Sequence, residues 1–349
     1  MSSDSGPLTQ AIRKLARRQD LDADETEAAF TVVMKGDASE VQMSALLMGL
    51  RAKGETPREV AGGVRALRKA MVPVKVADPD GVVDTCGTGG GAMKTFNIST
   101  AAAFVLAGGG VPVAKHGNRS FSSRCGSADV LEALGIRLPL TPQRMEQVYQ
   151  EVGLSFLFAP RLHPAMKHVA SVRQELGVPT IMNILGPLAN PARARRQVVG
   201  VSDPRLLSLV AESLRELGHI RALVVHGEPG MDELSPLGPT RVVRVENGYL
   251  GQSVFDPARE LGWNSMDAAE LAGAEPEHNA QVIEAVLKGR GSRAARGAAA
   301  LNAAAGFFVA GEADSLREGH ERAEAVLDEG KGLEILERVR EATRDVSLA

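Results

Sequence analysis

The sequence predicts an α/β protein in which a small N-terminal helical domain precedes a larger domain built on a central, mostly parallel sheet. Two observations lead to this prediction. Residues 7–70 contain four helical patterns with no strand pattern between them. From residue 82 onward, short apolar runs typical of buried strands alternate with helical patterns, and this alternation indicates a parallel sheet covered by helices.

The predicted helical domain has clear helix starts. Ser39 with Gln42 and Thr56 with Glu59 have the spacing of a capping box, in which each side chain accepts a hydrogen bond from the backbone N–H of its partner. Proline at position 57 suits the first turn of a helix, because the N–H that it lacks would be unpaired there. The four predicted helices cover residues 8–17, 22–34, 41–51 and 57–70.

The helical domain also carries more large aliphatic residues than a small lobe obviously needs. These residues include Ile12, Leu15, Leu46, Leu47 and Leu50. We therefore expect this domain to serve packing or dimerisation, with a homodimer formed through the helical domain.

The larger domain follows residues 73–80, a stretch with two prolines that we interpret as a hinge. Strands are predicted at residues 82–85, 111–114, 154–158, 198–201, 222–225 and 242–245. Helices are predicted at residues 101–107, 128–134, 142–151, 164–176 and 298–310, within a pattern that stays helical over 267–343. Gly, Pro and Asn punctuate residues 183–191, which indicates a rigid turn.

Residues 84–129 carry the clearest functional pattern. A buried strand breaks into glycines at residues 87–91, and residues 97–100 supply N-cap residue types before an alanine-rich helix. Glycines let backbone N–H groups approach a phosphate closely, and a helix start offers unpaired N–H donors. The next strand leads into Lys115 and Arg119, which add positive charge. Because strand ends of a parallel sheet meet at one edge, we predict one pocket for a ligand with more than one anionic group.

The glycine loop alone has two other interpretations. It suits a tight strand–helix connection without any ligand. Gly87, Gly89 and Ala92 also have the spacing of a dinucleotide-binding fingerprint, but that fingerprint needs an acidic residue at the end of the next strand. Lys115 and His116 stand there instead, which disfavours a nicotinamide cofactor. His116 by itself is more typical of a local structural hydrogen-bonding residue than of a catalytic base.

An acidic pair, Asp232 and Glu233, follows the strand predicted at residues 222–225. Adjacent carboxylates commonly lie on a solvated surface. The anion pocket nevertheless needs charge neutralisation, and Mg²⁺ is typically held by one or two carboxylates together with substrate phosphates. The pair therefore predicts a Mg²⁺ site. No His or Cys residues have the spacing of a zinc site, and no P-loop motif occurs.

The composition argues against a general nucleic-acid-binding or membrane protein. The net charge is −3 and aromatic residues make up only 3%, so neither a basic surface nor a stacking platform for bases is expected. The N-terminus lacks the apolar segment of a signal peptide, and no apolar run is long enough to span a membrane. We expect a cytoplasmic protein with reduced thiols at Cys86 and Cys125, although a disulfide stays open if their two loops meet.

Six segments spread over nearly the whole chain carry a further signal: GTGGG, TFNIST, KHGNRSFSSRCGSADVLEALG, HPAMKHVASVRQELG, NILGPLANP and HGEPGMDELSPLGPT. In order and spacing they resemble the anthranilate phosphoribosyltransferases of tryptophan biosynthesis. The resemblance implies transfer of the phosphoribosyl group of 5-phosphoribosyl 1-pyrophosphate (PRPP) to the amine of anthranilate, with up to two Mg²⁺ ions. It also implies a nucleoside phosphorylase/phosphoribosyltransferase-like fold of class II architecture.

The resemblance implies domain limits as well. Residues 1–74 would form the helical domain, with helices contributed by residues 165–190. Residues 75–164 and 191–349 would form the α/β domain that binds PRPP.

The site residues of the resembled family fall into three sets, and none of them is an acid or base catalyst. The metal set is Ser99, Asp232 and Glu233. The anthranilate set is Gly87, Asn118 and Arg173. The PRPP set is Gly87, Gly90, Gly91, Thr95, Asn97, Ile98, Ser99, Thr100, Lys115, His116, Gly117, Asn118, Arg119, Ser120, Phe121, Ser122, Ser123 and Ser127.

Several positions depart from the family pattern, and two other functions stay open. Gly91 and Ala92 replace an Asp-Gly pair in the loop, which bears on metal use, and Leu162, Pro179 and Met182 differ near the acceptor side. A non-enzymatic relative of the same fold could bind nucleic acid in a basic cleft. A pyrimidine-nucleoside phosphorylase would share the architecture, although KHGNRS and NILGPLANP fit it less well.

Overall fold

The computed structural model describes residues 6–119 and 124–344. Seven strands of these residues form one sheet, in the order β3-β2-β1-β4-β5-β6-β7. Strands β1 to β5 are parallel, and β6 and β7 are each antiparallel to the preceding strand. The strands are Val83–Gly87 (β1), Val113–Gly117 (β2), Leu154–Phe158 (β3), Arg196–Gly200 (β4), Arg221–Gly227 (β5), Thr240–Glu246 (β6) and Tyr249–Phe255 (β7).

Four helices precede the sheet, as predicted: Pro7–Leu15 (α1), Ala23–Lys35 (α2), Glu40–Lys53 (α3) and Pro57–Ala70 (α4). Both predicted capping boxes are confirmed. The Ser39 side chain accepts a hydrogen bond from the Gln42 N–H, the Thr56 side chain accepts one from the Glu59 N–H, and both reciprocal bonds are present. These boxes fix the helix starts that the sequence indicated.

The aliphatic residues that suggested a dimer interface serve a different purpose. Leu15, Leu46, Leu47 and Leu50 are buried in the chain's own apolar core, and Ile12 packs against that core. The core extends beyond the four helices to one face of the sheet, so it needs more apolar side chains than an isolated lobe would. Of the two expected roles, packing is confirmed for these five residues, and the homodimer stays a prediction that they do not support.

The two faces of the sheet are covered by different sets of helices. Alternate strand residues such as Val198 and Leu223 share an apolar core with the helices at residues 98–108 and 293–310. Val199 and Val224 lie in a second core, with α4 and the helices at residues 182–188 and 206–216. The helices after α4 are Ile98–Gly108 (α5), Ser127–Ala133 (α6), Pro142–Val152 (α7), Ala159–Leu162 (α8), Ala170–Leu176 (α9), Met182–Leu188 (α10), Leu206–Glu216 (α11), Pro257–Glu260 (α12), Pro276–Leu287 (α13), Arg293–Ala310 (α14), Leu316–Asp328 (α15) and Lys331–Arg344 (α16).

Two segments between β3 and β4 differ from their predictions. Residues 164–176 form a 3₁₀ helix, Pro164–Val169, followed by α9, instead of one continuous α-helix. Residues 183–191, predicted as a turn, largely form α10. Ile184, Leu185 and Leu188 are buried, and Pro187 sits in the last turn of this short helix. Apolar burial therefore outweighs the Gly and Pro signals here.

The sequence did not indicate strand β7. This strand forms a hairpin with β6 through Asn247 and Gly248, whose φ values of 48° and 85° suit a tight turn. Most of its residues are exposed because β7 lies at the edge of the sheet. An exposed edge strand lacks the apolar run by which the buried strands were recognised.

Apolar side chains of residues 165–188, including Val169, Val172 and Leu185, share the apolar core of the four N-terminal helices. In residues 6–119 and 124–344, no helix combines the length and apolar character that crossing a membrane requires.

Candidate functional site

The glycine loop after β1 folds onto the ends of two other strands. The Thr88 N–H donates to the Gly200 carbonyl at the end of β4 (2.9 Å). The Gly89 N–H donates to Oδ2 of Asp232, in the loop after β5 (2.9 Å). Gly89 and Gly90 have φ values of 67° and 82°, a backbone conformation that favours glycine. The loop therefore lies where the carboxyl ends of β1, β4 and β5 meet.

The acidic pair lies beside the start of α5 and the side chain of Lys115. Glu233 Oε2 accepts a hydrogen bond from the Thr95 hydroxyl (3.3 Å) and also interacts with the backbone N–H of Ser99. Lys115 Nζ donates to Ser99 Oγ (3.2 Å). The structure thus brings together five residues from three separate segments of the chain: Asp232, Glu233, Ser99, Thr95 and Lys115.

This gathering depends on two positions without a side chain. A Cβ atom at Gly200 would lie 1.5 Å from the Asp232 carbonyl oxygen, and one at Gly87 would lie 2.6 Å from Asp232 Oδ2. Both distances are far below van der Waals contact. Glycine at 87 and 200 is therefore required for the loop after β5 to reach the strand ends.

Burial shifts the pKa values of the charged groups at this site. Burial raises the pKa of Asp232, although the Gly89 N–H opposes the shift. Burial, reinforced by the charge of Asp232, raises the pKa of Glu233 well above its ordinary value. Burial lowers the pKa of Lys115, while Asp84 and Glu233 oppose the shift. Two half-buried carboxylates next to each other favour a cation between them.

The donor set fits Mg²⁺. Carboxylate oxygens of Asp232 and Glu233 and the hydroxyl of Ser99 are hard oxygen ligands, and the charge of Asp232 raises the pKa of the half-buried Glu233. In the part of the chain that is described, no three His, Cys, Asp or Glu side chains form a metal-binding group. A metal here would therefore need ligands from a bound phosphate as well, which is the usual arrangement for Mg²⁺.

A buried polar network next to Lys115 was not predicted from the sequence. Asp84 Oδ1 accepts a hydrogen bond from the His116 N–H (3.1 Å), and Asp84 Oδ2 accepts one from Gln197 Nε2 (3.1 Å). Gln197 Nε2 also donates to the Pro187 carbonyl at the end of α10 (2.7 Å). Asn190 Nδ2 donates to the Ala114 carbonyl (2.8 Å). The available signal was a lone polar residue within an apolar strand run.

His116 and His163 are both buried, with ring centroids 5.0 Å apart. Burial lowers the pKa of His116 to about 3 and that of His163 to about 4. Both rings are therefore neutral at neutral pH. A pKa of about 3 makes the His116 ring a weak proton acceptor near neutral pH, and the expectation that it is not a catalytic base stays a prediction.

The Arg119 guanidinium is directed at carboxylates. It donates hydrogen bonds to Asp129 (2.9 Å) and to both oxygens of Glu132 (2.7 Å each). The charge that the sequence analysis assigned to the anion pocket is thus balanced by two acids on α6. A Cβ atom at Gly117 would lie 2.2 Å from Ser127 Oγ, so this glycine lets α6 approach the end of β2.

The Arg173 side chain lies on α9 and is half-buried. Within residues 6–119 and 124–344 it has no hydrogen-bond or ion-pair partner, and burial lowers its pKa. A half-buried guanidinium without a carboxylate is suited to bind one from a ligand. Asn118 is exposed at the end of β2, and its Oδ1 accepts a hydrogen bond from the Arg119 N–H (2.7 Å).

The predicted side-chain N-cap at the start of α5 does not form. Asn97 occupies the N-cap position but makes no side-chain cap. Its Oδ1 instead accepts a hydrogen bond from Asn279 Nδ2 (3.0 Å). The side chains of Ile98 and Thr100 are fully buried, and their N–H groups donate to the Phe96 and Asn97 carbonyls (2.7 and 3.1 Å).

The remaining predicted residues have simple outcomes. Cys86 and Cys125 do not form a disulfide, as expected. Gly91 lies against Asp232 and Gly230, so a Cβ atom there would be 3.1 Å from Asp232 Oδ1. Four predicted PRPP residues lie outside the described residues, namely Ser120, Phe121, Ser122 and Ser123.

Two family models match the chain. The model described as "Glycosyl transferase family, helical bundle domain" matches residues 9–71. The model described as "Glycosyl transferase family, a/b domain" matches residues 79–333. Together they cover the helical and sheet-containing parts in the observed order.

Relatives that match nearly the whole chain show to which family of glycosyl transferases it belongs. The anthranilate phosphoribosyltransferase of Pelotomaculum thermopropionicum is 47% identical over 97% of this chain and 98% of that protein. The chain belongs to the anthranilate phosphoribosyltransferase family. That of Symbiobacterium thermophilum is also 47% identical, over 95% of this chain and 96% of the relative.

Solved structures of the family share this fold. The crystal structure of the Thermus thermophilus anthranilate phosphoribosyltransferase has a TM-score of 0.90 at 45% identity, and the match covers 96% of this chain and 99% of that one. The Saccharomyces cerevisiae enzyme in complex with PRPP and Mg has a TM-score of 0.87 at 25% identity, covering 97% and 98%. The predicted fold class and the family resemblance are confirmed.

The close approach at Gly200 can be tested by substitution. We expect Gly200→Ala to lower the free energy of unfolding by about 2 kcal/mol, because the added methyl group must displace the backbone of Asp232. Gly186→Ala is the matched control, since a Cβ atom there meets nothing within 4 Å and the residue is helical. Urea denaturation measures both. Equal stability of Gly200→Ala and the unsubstituted chain would contradict this account of the site.

Proposed function

We propose that this chain transfers the phosphoribosyl group of PRPP to the amine of anthranilate, giving N-(5-phosphoribosyl)anthranilate and pyrophosphate. This is the second step of tryptophan biosynthesis from chorismate. One observation carries the proposal: family membership at 47% identity spans 97% of the chain. The site geometry supports it, because a glycine loop, a buried lysine and two carboxylates converge on one edge of the sheet.

The donor PRPP binds at the glycine loop and the start of α5. On binding, the Gly89 N–H exchanges its bond to Asp232 for one to a phosphate oxygen. Lys115 supplies positive charge to this site, and its ammonium group is held by hydrogen bonds to Ser99 Oγ and to the Thr85 carbonyl. The other PRPP contacts come from the residues that follow β2 and from Ser127.

Ser99, Asp232 and Glu233 hold Mg²⁺ together with oxygens of the substrate. When bound, Mg²⁺ stabilises the negative charge that develops on the departing pyrophosphate. Backbone N–H groups of the glycine loop act on the same charge, and they are already fixed in place before the bond breaks. The gain in rate comes from interactions that strengthen as charge develops.

The acceptor is held by Arg173, Asn118 and Gly87. The Arg173 guanidinium pairs with the carboxylate of anthranilate, and two parallel hydrogen bonds orient the amine toward the anomeric carbon. An aromatic amine is unprotonated at neutral pH, so no base has to remove a proton before attack. With pKa values lowered to about 3 and about 4, His116 and His163 are weak bases, which suits a site that works without acid–base catalysis.

The domain limits given by the family resemblance complete this proposal. Residues 1–74 with 165–190 form the helical part, and residues 75–164 with 191–349 form the PRPP-binding part. The enzyme acts in the cytoplasm, where its two thiols stay reduced.

The transfer itself is tested by loss of anthranilate fluorescence with PRPP and Mg²⁺. We expect turnover by the purified chain and a loss of about 100-fold in Glu233→Gln, because a carboxylate that holds the metal becomes neutral. Glu260→Gln changes an exposed glutamate on α12 and should keep full activity. No turnover by the unsubstituted chain, at any Mg²⁺ concentration, would refute the proposed function.

The role of Arg173 predicts a selective change in acceptor affinity. Arg173→Lys keeps the charge but loses the planar pair of donors, so KM for anthranilate should rise about tenfold with KM for PRPP unchanged. Arg215→Lys, an exposed position on α11, serves as the control. Steady-state kinetics with each substrate varied separately measures both KM values. An unchanged KM for anthranilate would remove Arg173 from the acceptor site.

We also propose that the helical part forms a homodimer, now through different residues. Val41 and Met48 lie seven positions apart on α3, on one side of the helix, and are 80% and 36% exposed. Light scattering should give twice the 36.8 kDa mass of the chain. The double substitution Val41→Glu with Met48→Glu should give a monomer. Val254→Glu on the exposed strand β7 should leave the dimer intact. A monomeric unsubstituted chain would contradict this.

A further inference from the structure

Strands β1 and β2 are neighbours in the sheet, yet their backbones hardly pair. β1 pairs with β4 at five residue pairs, and β2 pairs with β3 at five. β1 and β2 pair only at Val83 and Val113. Beyond this pair the two strands continue side by side toward the proposed active site without a regular ladder.

The backbone groups that a ladder would use can be identified from the pairing that remains. The Val113 N–H donates to the Gly153 carbonyl on the β3 side, and because facing alternates along a strand, Ala114 and His116 face β1. The Val83 N–H donates to the Pro112 carbonyl on the β2 side, so Thr85 also faces β2.

Three side chains take the places of the missing ladder bonds. Asp84 Oδ1 accepts the hydrogen bond of the His116 N–H (3.1 Å). Asn190 Nδ2 donates to the Ala114 carbonyl (2.8 Å), and Lys115 Nζ donates to the Thr85 carbonyl. We call these three side chains the wedge. It consists of Asp84, Lys115 and Asn190.

The wedge is an unusual way to join two central strands. Asp84, Lys115 and Asn190 are 0%, 3% and 1% exposed, so a carboxylate and an ammonium group lie fully inside the sheet. Taking such charges out of water is costly, and backbone pairing would satisfy the same groups without that cost. Stability alone therefore does not account for the wedge.

We propose that Asp84 is a positioning residue for the PRPP site. Its carboxylate holds the ends of β1 and β2 apart, and this separation lets the Lys115 ammonium reach Ser99 Oγ, 3.2 Å away. The two loops that leave these strands, one after Gly87 and one after Gly117, then face a single ligand. The inference rests on the proposed function, since it names what sets the geometry of that same site.

Asp84→Asn is the sharpest substitution. The amide keeps the size of the side chain but presents an NH₂ group either to the His116 N–H or to Gln197 Nε2, both of which are donors. One bond across the gap is lost and the charge beside Lys115 disappears. The separation between β1 and β2 is then no longer fixed.

Glu59→Gln is the matched control. Glu59 is also a fully buried carboxylate, and it accepts hydrogen bonds from the Leu21 N–H (2.9 Å) and the Thr56 N–H (2.8 Å) in the helical part. Its loss should destabilise the fold in the same way as the loss of Asp84. Among the described residues, no hydrogen bond or ion pair of Glu59 involves a residue assigned to PRPP, so substrate binding should be unchanged.

Three measurements test the proposal: calorimetric binding of PRPP with Mg²⁺, separate KM values for both substrates, and hydrogen exchange of residues 113–119. In Asp84→Asn we expect PRPP binding to weaken about tenfold or more, since a charge-assisted bond is lost. KM for anthranilate should rise less, by about threefold, because Gly87 and Asn118 follow the two strands but Arg173 on α9 is not part of the wedge. Hydrogen exchange in residues 113–119 should accelerate. Glu59→Gln should show none of these changes.

Asn190→Ala provides a second variant if Asp84→Asn does not fold, because it removes another part of the wedge and should also weaken PRPP binding selectively. Unchanged PRPP binding in the folded variant overturns the inference. Equal weakening of both substrates, in step with lost stability, overturns it as well. If the unsubstituted chain binds no PRPP, the proposed function fails, and this inference fails with it.

Discussion

The site depends on the contact between the loop after β5 and the ends of β1 and β4. Asp232 reaches these strands only because Gly87 and Gly200 have no side chains, and its carboxylate then meets the Gly89 N–H at 2.9 Å. Without that approach the acidic pair would lie away from the glycine loop. One steric condition therefore places the anion-binding loop and the cation-binding carboxylates in the same pocket.

Charge balance is the second constraint. Asp84 and Lys115 are buried, Asp232 and Glu233 are half-buried, and the loss of solvent pushes each pKa toward the neutral form. One ammonium group does not neutralise three carboxylates. A divalent cation would complete the balance at Asp232 and Glu233, while Asp84 is satisfied by hydrogen bonds from His116 and Gln197. The site is thus arranged to gain from metal and phosphate together.

Much of this could be predicted from sequence, because Gly87 to Gly91 and Lys115 follow apolar runs directly and Asp232-Glu233 stand in the loop after another. The roles of Asp84, Asn190 and Gln197 could not, since single polar residues in apolar segments show no periodicity. Strand β7 is exposed and α10 contains Gly and Pro, so local patterns gave the wrong answer where edge position or burial decides. The pairing of Arg119 with Glu132 and the burial of Leu46 depend on tertiary contacts.

The most direct test of the central claim is a crystal structure of the chain with PRPP and Mg²⁺. We expect the pyrophosphate to lie between residues 87–91 and residues 232–233, with metal bound to Asp232 or Glu233. We further expect the Gly89 N–H to have moved from the Asp232 carboxylate to a phosphate oxygen. A ligand bound elsewhere, or a glycine loop still closed on Asp232 with the ligand present, would contradict the claim.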